Sequence, residues 1–278
     1  MFQLINTGYF YADGGAMFGA IPKITWSRSY PANEHNLCVL AMHAGVVKTE
    51  NGRVIVIDPG VGTDRLDKSP AVHYQFYDTK DITEELRQMN IATEEVTDVI
   101  FTHLHFDHCG AAVRTDSEGI AKPVFPNAHH WVSRAQYESE KNPHPLEKDS
   151  FLPENTQILE KAGLVRMVES TIEPYPDVRL ELFDGHTIGQ IAATIKPENE
   201  DMNEDMNEVV FAGDIIPLAS QVVPERISAY DLYPALSYFG KIKILEKAVR
   251  EHQTLVFFHD AYKPAATVKK VGNSYKTV

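Results

Sequence analysis

The stretch that decides the fold reads Thr-His-Leu-His-Phe-Asp-His-Cys-Gly and occupies residues 102–110, directly after an apolar run. It places three histidines and one aspartate within six positions. In an extended segment, residues i and i+2 point to the same side, so His103 and His105 can hold one metal ion together. Asp107 and His108 follow where the chain turns, and we expect them to face a neighbouring position. The pattern therefore predicts part of a metal site.

The remaining ligands are expected at the ends of other strands, because sites in α/β folds gather at the carboxyl ends of strands. Three positions fit this rule. His186 follows the strand sequence VRLELFDG, Asp214 follows VVFAG, and His259 follows TLVFF. The other histidines lack this placement. The adjacent pair His129 and His130 is interpreted as lying on the surface or behind the ligands.

The chain alternates between strand and helix patterns, which favours an α/β fold. The predicted strands are NLCVLAMHAG, RVIVIDPG, VTDVIFT, VRLELFDGH, IAATIKP, VVFAGDII and TLVFFHDA. The predicted helices are DITEELRQMNI, SRAQYESEKN, ENTQILEKAG and ALSYFGKIKILEKAVREH. No linker separates two domains, so we expect a single domain over residues 1–278. The repeated sequence EDMN at residues 200–207 is interpreted as a solvated hairpin loop.

Composition narrows the function classes. Apolar residues make up 43% and charged residues 23% of the 278 residues, which is ordinary for a globular protein. The net charge of −13 opposes binding to nucleic acid or to an anionic membrane surface. The N-terminal sequence lacks the features of a signal peptide, and two cysteines imply no disulfide framework. We therefore expect a cytoplasmic protein that acts on a small molecule.

The sequences THLHFDHCG, DGHTIGQ, AGDII and FFHD, in that order, resemble the metallo-β-lactamase superfamily. The resemblance implies a four-layer αββα sandwich with two divalent metal ions at one edge. Zinc is the usual ion in this family, and iron, manganese and cobalt also occur. By position, the resemblance assigns His103, His105 and His186 to one ion, Asp107, His108 and His259 to the other, and Asp214 as the bridge.

Flanking sequences narrow the subclass. DGGAMFGAIPKITWSR, AYDLYP and FLPENTQIL resemble quorum-quenching lactonases of the YtnP type and methyl parathion hydrolase. The resemblance implies a lactonase of the N-acyl homoserine lactone type that uses a metal-bridging hydroxide, and it suggests a homodimer. Asp107 is the expected proton carrier, because a carboxylate beside a metal can accept and return a proton. The alternatives are an organophosphate triester hydrolase, a promiscuous esterase or an iron persulfide dioxygenase. The best-known lactonases carry a tyrosine where this chain has Pro217, and Tyr230 or Tyr233 are candidates to replace it.

Other features have two interpretations each. Residues 1–36 include an apolar segment that either packs on the core or lines the substrate pocket. Asp58 either orients a ligand histidine or caps a turn. Cys109 is interpreted as a small buried residue. The candidate pocket residues of the N-terminal segment are Met17, Phe18, Ile21 and Trp26.

Overall fold

A computed structural model describes residues 1–64, 66, 74–198 and 207–278. The predicted loop at 200–207 therefore lies outside the described residues, except for Asn207. Within these ranges, no helix is both long and apolar enough to cross a membrane.

The described residues form fifteen strands and seven α-helices, joined by loops and short 3₁₀ turns. The strands are β1 (Phe2–Asp13), β2 (Leu37–Lys48), β3 (Val54–Ile57), β4 (Asp98–Ile100), β5 (Val113–Thr115), β6 (Ala121–Pro123), β7 (His129–Ser133), β8 (Val165–Val168), β9 (Ile172–Tyr175), β10 (Val178–Phe183), β11 (Gln190–Ile195), β12 (Val209–Phe211), β13 (Thr254–Val256), β14 (Ala265–Val271) and β15 (Ser274–Thr277). The helices are α1 (Gly14–Phe18), α2 (Lys23–Trp26), α3 (Ile82–Gln88), α4 (Phe106–Cys109), α5 (Arg134–Lys141), α6 (Pro153–Lys161) and α7 (Pro234–Arg250).

Two mixed sheets form the centre of the molecule. The first sheet has six strands in the order β1-β2-β3-β4-β7-β8, and its strands from β3 to β8 run parallel. The second sheet has seven strands in the order β15-β14-β13-β12-β11-β10-β9, with β12 and β13 parallel. Strands β5 and β6 form a separate hairpin. In the parallel stretches the strand ends meet at one edge, where polar side chains can gather.

The side-chain alternation of the strands explains the layers. In β3, Ile55 and Ile57 face the second sheet, whereas Val56 packs with α3 on the outer side. In β12, Phe211 faces the first sheet and Val210 packs with α7. Both sheets are thus apolar on both faces, and helices cover the outer faces. This is the predicted four-layer αββα sandwich.

The four predicted helices form as α3, α5, α6 and α7, whereas the short helices α1, α2 and α4 were not predicted. Helix α3 begins after Asp81, whose side chain accepts a hydrogen bond from the backbone N–H of Thr83, and it buries Ile82 and Leu86. Helix α7 begins with a proline in its first turn, where the missing N–H costs nothing. Its buried residues follow helical spacing, so one face packs on the second sheet: Ser237, Lys241, Ile244, Leu245 and Ala248.

The sequence analysis missed β1 and several strands at the sheet edges. Strand β1 spans twelve residues and pairs with β2, but its register shifts between Asn6 and Tyr9. An irregular edge strand that is only partly buried has a weak alternation signal. Strands β14 and β15 are also largely exposed, and the same reason applies to them.

Candidate metal centre

Four of the predicted ligands lie at the same distance in sequence from the end of a strand. Strand β4 ends at residue 100, β10 at 183, β12 at 211 and β13 at 256. In each case a predicted ligand follows three residues later: His103, His186, Asp214 and His259. The ligands thus lie at one edge of the two sheets, as strand ends in α/β folds predict.

The backbone of residues 103–108 changes from extended to helical, so its side chains face two different metal positions. Helix α4 begins directly after His105, so Asp107 and His108 lie on a helical turn. The backbone N–H of Leu104 donates to Gln136 on α5 at 3.0 Å, which fixes the segment between the first two histidines. Gly213 has a φ of 52°, in the left-handed region, and a Cβ there would lie 2.7 Å from the Thr102 hydroxyl. Only glycine fits directly before the aspartate that follows.

The structure brings all seven predicted ligands together. In three groups, one ligand atom from each side chain lies within 4.8 Å of the others. The groups are His103 with His105 and His186, His103 with His108 and Asp214, and Asp107 with His108 and His259.

Three of the histidines are each backed by a carboxylate. His108 Nδ1 lies 2.9 Å from Asp58, and His186 Nδ1 lies 3.2 Å from Asp231. His105 Nε2 lies 3.0 Å from Glu147. An ionised carboxylate only accepts hydrogen bonds, so each histidine donates outward and keeps a lone pair on its other nitrogen. For His108 this supports the interpretation that Asp58 orients a ligand histidine.

The remaining two histidines are oriented by other oxygens. His259 Nδ1 lies 2.9 Å from the carbonyl oxygen of Ala41. His103 Nδ1 lies 3.0 Å from the Thr102 hydroxyl, which donates its own proton to Asp58 at 2.6 Å. In both cases the backing oxygen accepts, so Nε2 of the histidine carries the lone pair. All five histidines therefore present an unprotonated nitrogen to the same space.

These atoms fit a bound cation. His105 Nδ1 and His186 Nε2 lie 3.2 Å apart, although both carry lone pairs when their outward nitrogens donate. His103 Nε2, His108 Nε2 and Asp214 Oδ1 are buried without a hydrogen-bond partner. Buried polar atoms without partners cost free energy, and a cation among them removes that cost. The mixture of imidazole and carboxylate ligands suits a divalent metal ion.

The pKa directions of His103 and Asp214 agree with such ligands. Burial lowers the pKa of His103 well below its ordinary value, and the neighbouring His108 and His105 lower it further. Burial opposes ionisation of Asp214, but the charges of His259, His108 and His186 outweigh burial and hold its pKa well below the ordinary value. At neutral pH His103 is then neutral and Asp214 ionised, which are the forms that bind metal. Burial opposes protonation of His108 and His186, but nearby carboxylates outweigh burial and raise the pKa of both above the ordinary value, so a bound cation would displace their protons.

A cavity of about 280 Å³ opens beside the ligand cluster. Its wall combines ligand side chains with apolar residues from the N-terminal strand and its neighbours. The lining residues are Phe10, Ala12, Met17, Leu40, Tyr74, His105, Phe106, Asp107, Leu146, Glu147, Ser150, His186, Asp214, Pro217, Ser228, Ala229, Tyr230, Asp231, Leu232 and His259.

The predicted substrate residues divide into two groups. Met17 and Tyr230 line the cavity, whereas Ile21 and Tyr233 are outside its lining. Phe18 and Trp26 stack with ring centroids 4.8 Å apart and are almost completely buried. Their position corrects the pocket interpretation, because an aromatic pair enclosed by the core packs rather than contacts substrate.

The sequence analysis missed three residues at the site. Glu147, Asp231 and Tyr74 all line the cavity, and the first two also back ligand histidines. No spacing links these carboxylates to the histidines that they contact. A smaller correction concerns His130, which is buried in the core with Nδ1 3.0 Å from the Ala128 carbonyl and lies outside the three ligand groups. Cys109 is buried, as predicted.

A comparison with protein-family models decides the family. Residues 41–190, which are more than half of the chain, match the family described as the metallo-beta-lactamase superfamily. The chain belongs to the metallo-beta-lactamase superfamily. The predicted family and its sandwich fold are thereby confirmed.

Curated relatives of this superfamily member are lactonases. The chain is 27% identical over 236 residues to an N-acyl homoserine lactonase from Bacillus sp, covering 77% of this chain and 79% of the relative. It is 25% identical over 246 residues to an N-acyl homoserine lactonase from Bacillus cereus, covering 81% and 83%.

Solved structures share the fold over the whole chain. A probable metal-dependent hydrolase from Staphylococcus aureus matches with a TM-score of 0.86 and 27% identity, covering 100% of this chain and 96% of the other. AidC, described as a dizinc quorum-quenching lactonase, matches with a TM-score of 0.77 and 18% identity, covering 100% and 93%. At that identity the likeness to AidC shows the fold alone.

Proposed function

We propose that this superfamily member is a binuclear metal-dependent hydrolase that opens lactone rings of the N-acyl homoserine lactone type. One observation carries the proposal. Five histidines and two carboxylates converge beside a cavity whose lining also includes several apolar side chains. The family membership and the lactonase relatives support a metal-dependent hydrolase acting on ester bonds.

The ligands divide between two positions. We assign His103, His105 and His186 to one ion, Asp107, His108 and His259 to the second, and Asp214 to both. Zinc is the proposed ion, with iron, manganese or cobalt as alternatives. When bound, two such ions make a hydroxide nucleophile available near neutral pH and polarise the scissile carbonyl.

Asp107 is the proposed proton carrier. Its Oδ2 lies 3.5 Å from His259 Nε2 and 3.9 Å from His108 Nε2, and its side chain is one of those that line the cavity. The other carboxylate oxygen, Oδ1, is left to hold a proton and to return it to the leaving alkoxide of the ring. Asp214 also lies near both histidines, with Oδ1 3.5 Å from His108 Nε2 and 3.3 Å from His259 Nε2, but it is assigned to both ions, which leaves Asp107 as the proton carrier.

The apolar wall suits an acyl substituent. Phe10, Ala12 and Met17 line the cavity from the N-terminal segment, and Leu40 joins them from β2. These side chains offer no hydrogen-bonding groups, so they favour a hydrocarbon chain over a sugar or a phosphate. We propose a small-molecule ester or lactone as the substrate, with the single domain, the homodimer and the cytoplasmic location as predictions that accompany this assignment.

The test compares substrates on one metal-loaded preparation. Elemental analysis should give close to two ions per chain. Short- and long-acyl homoserine lactones, simple γ- and δ-lactones and methyl paraoxon are then compared by kcat/KM. We expect an acyl homoserine lactone to be the best substrate, and Asp107→Asn to lower kcat in samples whose metal content equals that of the wild type.

Two other outcomes of this comparison would replace the lactonase assignment, and a third would contradict the two-ion centre. If methyl paraoxon has the highest kcat/KM and every lactone stays at background, the protein is a phosphotriester hydrolase. If no ester is hydrolysed but a persulfide consumes oxygen, the hydrolase assignment is wrong. A stable content of one ion under metal-replete conditions contradicts the binuclear centre.

A further inference from the structure

The turn that carries His259 is held against β2 by backbone and side-chain hydrogen bonds. Leu40 of β2 and Asp260 form an isolated antiparallel bridge. On one side of this bridge, the backbone N–H of Ala41 donates to the His259 carbonyl at 3.0 Å, and His259 Nδ1 lies 2.9 Å from the Ala41 carbonyl oxygen. The orientation of the His259 ring therefore depends on how closely residues 259–261 follow β2.

A tyrosine hydroxyl holds the other side of the bridge. Antiparallel pairing at the bridge brings the Val39 carbonyl opposite the backbone N–H of Ala261. The Tyr30 hydroxyl donates to the Val39 carbonyl at 2.7 Å and accepts from the Ala261 N–H at 3.2 Å. The same hydroxyl oxygen lies 3.5 Å from the carbonyl oxygen of His259. One side chain thus ties β2 to the turn that carries this ligand.

Aromatic packing fixes the ring of Tyr30. The residue is 2% exposed, and its backbone N–H donates to the Trp26 carbonyl at 3.1 Å. The ring centroid of Tyr30 lies 6.2 Å from that of Phe18 and 5.3 Å from that of Tyr262. Phe18 is itself fixed by its stacking on Trp26. A ring enclosed in a close-packed interior has little freedom to move its hydroxyl.

We propose that Tyr30 is a positioning residue for the metal ligand His259, and that Phe18 and Trp26 act on this ligand through Tyr30. The inference rests on the proposed two-ion centre, in which His259 holds the second ion. It gives the buried aromatic residues of the N-terminal segment a role at the site, although Phe18, Trp26 and Tyr30 are outside the cavity lining.

The physical role of the Tyr30 hydroxyl is to satisfy two backbone groups at once. Without it, the Val39 carbonyl and the Ala261 N–H lose this partner, and the turn gains freedom to move away from β2. A displaced turn moves His259 away from the geometry that its ion requires. Binding of that ion then weakens, although every ligand is still present.

The test uses Tyr30→Phe, which removes the hydroxyl and keeps the enclosed ring. Zinc-loaded wild type and variant are compared by competition with a chromogenic chelator, which gives the affinity of each ion. Tyr30→Phe should weaken binding of one ion about 10-fold, at the lower end of the range for outer partners of ligands. The affinity of the other ion should stay within about twofold of the wild type.

Two ligand variants identify the weakened ion. In a His259→Ala background, Tyr30→Phe should cause no further loss of zinc affinity, because the ligand through which it acts is gone. In a His186→Ala background, the loss of about 10-fold should persist, since His186 is assigned to the other ion. A role of Tyr30 in the stability of the whole chain would instead lower the affinity in both backgrounds.

Tyr137→Phe is the matched control. Tyr137 is also buried, at 4% exposed, and its hydroxyl donates to Glu160 between α5 and α6. The same atom is therefore removed from a buried hydrogen bond that has no contact with a ligand group. This variant should keep the wild-type affinity for both ions.

A second variant tests the inference if Tyr30→Phe does not fold without metal. Tyr262→Ala removes one of the rings that hold Tyr30 and leaves the Tyr30 hydroxyl in place. Because Tyr262 is 59% exposed, we expect its truncation to cost little stability. It should weaken the same ion by about threefold, less than the loss of the hydroxyl itself. Wild-type affinities in this variant would overturn the inference.

The remaining outcomes separate this inference from the proposed function. A wild type that holds only one ion under metal-replete conditions overturns the two-ion centre and the inference with it. A wild type with two ions whose Tyr30→Phe variant keeps both affinities within about twofold overturns the inference alone. Equal weakening of both ions, or an equal loss in Tyr137→Phe, also overturns it, because the effect would then come from the stability of the whole chain.

Discussion

The two halves of the metal centre are supported in different ways. The first-sheet half consists of the ligands in the continuous segment 103–108. Here Asp58 accepts from the Thr102 N–H at 2.8 Å and from the Thr102 hydroxyl at 2.6 Å, and it backs His108 at 2.9 Å. The second-sheet half consists of His186, Asp214 and His259, which come from three separate strand ends. Among the described contacts, no single residue links these three ligands in the way that Asp58 links the groups of the first-sheet half.

The backbone of Asp58 shows how strongly the first-sheet half is determined. Its φ is 45°, in the left-handed region that few residues other than glycine adopt. Such a conformation persists when surrounding contacts over-determine it, and the three contacts of its carboxylate do so. The first-sheet half is therefore organised mainly by one residue, Asp58, which directly follows β3.

The second-sheet half depends instead on docking of a long connection. The segment between β12 and α7 is held to the N-terminal segment by several hydrogen bonds. Gln221 Nε2 donates to the Met17 carbonyl at 2.7 Å, and the backbone N–H of Ala229 donates to the Ala16 carbonyl at 2.7 Å. This connection carries Asp231, the carboxylate that backs His186. Its position therefore follows from contacts far apart in the sequence.

The largest expected effect comes from removing Asp214, the residue proposed to hold both ions. Asp214→Ala should lose much of the bound metal and lower kcat/KM by more than the roughly 10- to 100-fold typical of losing an outer partner of a ligand. Elemental analysis and kinetics on the same sample measure both. Asp116→Ala, in the turn between β5 and β6, is the control and should match the wild type. An Asp214→Ala variant with wild-type metal content and activity would remove Asp214 from the centre.

A pair of amide variants tests the comparison between the halves directly. Asp58→Asn should weaken metal binding by about 100-fold and Asp231→Asn by about 10-fold, because Asp58 supports three groups and Asp231 one ligand. Competition with a chromogenic chelator measures the affinities. Equal effects, or a larger effect of Asp231→Asn, would show that the second-sheet half is the more strongly organised one.

The smallest expected effect concerns the helix behind the first-sheet half. Helix α5 carries Gln136, which holds Leu104, and one turn later Glu140. Burial raises the pKa of Glu140 to about 7, although a hydrogen bond from Thr156 opposes the rise. The folded protein keeps this proton at pH values where the unfolded chain, with an ordinary glutamate pKa, has lost it. The contribution to stability therefore falls as pH rises from about 4.5 to about 7.

Glu140→Gln removes that titration. From the displaced pKa we expect the wild type to lose about 2 kcal/mol of unfolding free energy relative to the variant between pH 5 and pH 7. Urea unfolding of both proteins at the same pH values and metal concentration measures the difference, so that the contribution of metal cancels. A difference that does not change with pH would mean that Glu140 is ionised in the folded protein throughout this range.

The sequence predicted the ligands better than the residues that support them. Ligand positions follow from local rules: an extended segment aligns His103 with His105, and a strand end exposes the residues that come after it. Glu147 and Asp231 have no such signal, because their contacts with His105 and His186 form between segments that only folding brings together. Asp58 was intermediate, since its place after a strand suggested two roles and only its contacts distinguished them.

Through its family resemblance, the sequence predicted the four-layer class. By itself, it determined the main strands and helices and the seven residues proposed to hold metal, because these patterns are periodic or lie at fixed offsets along the chain. Only the tertiary structure decided that Met17 lines the cavity while Phe18 and Trp26 pack in the core, and that Tyr74 and Tyr230, far apart in the sequence, line the same cavity. The physical reason is that apolar side chains in one short segment have similar preferences for burial. Which of them meets the cavity depends on how distant segments pack around it.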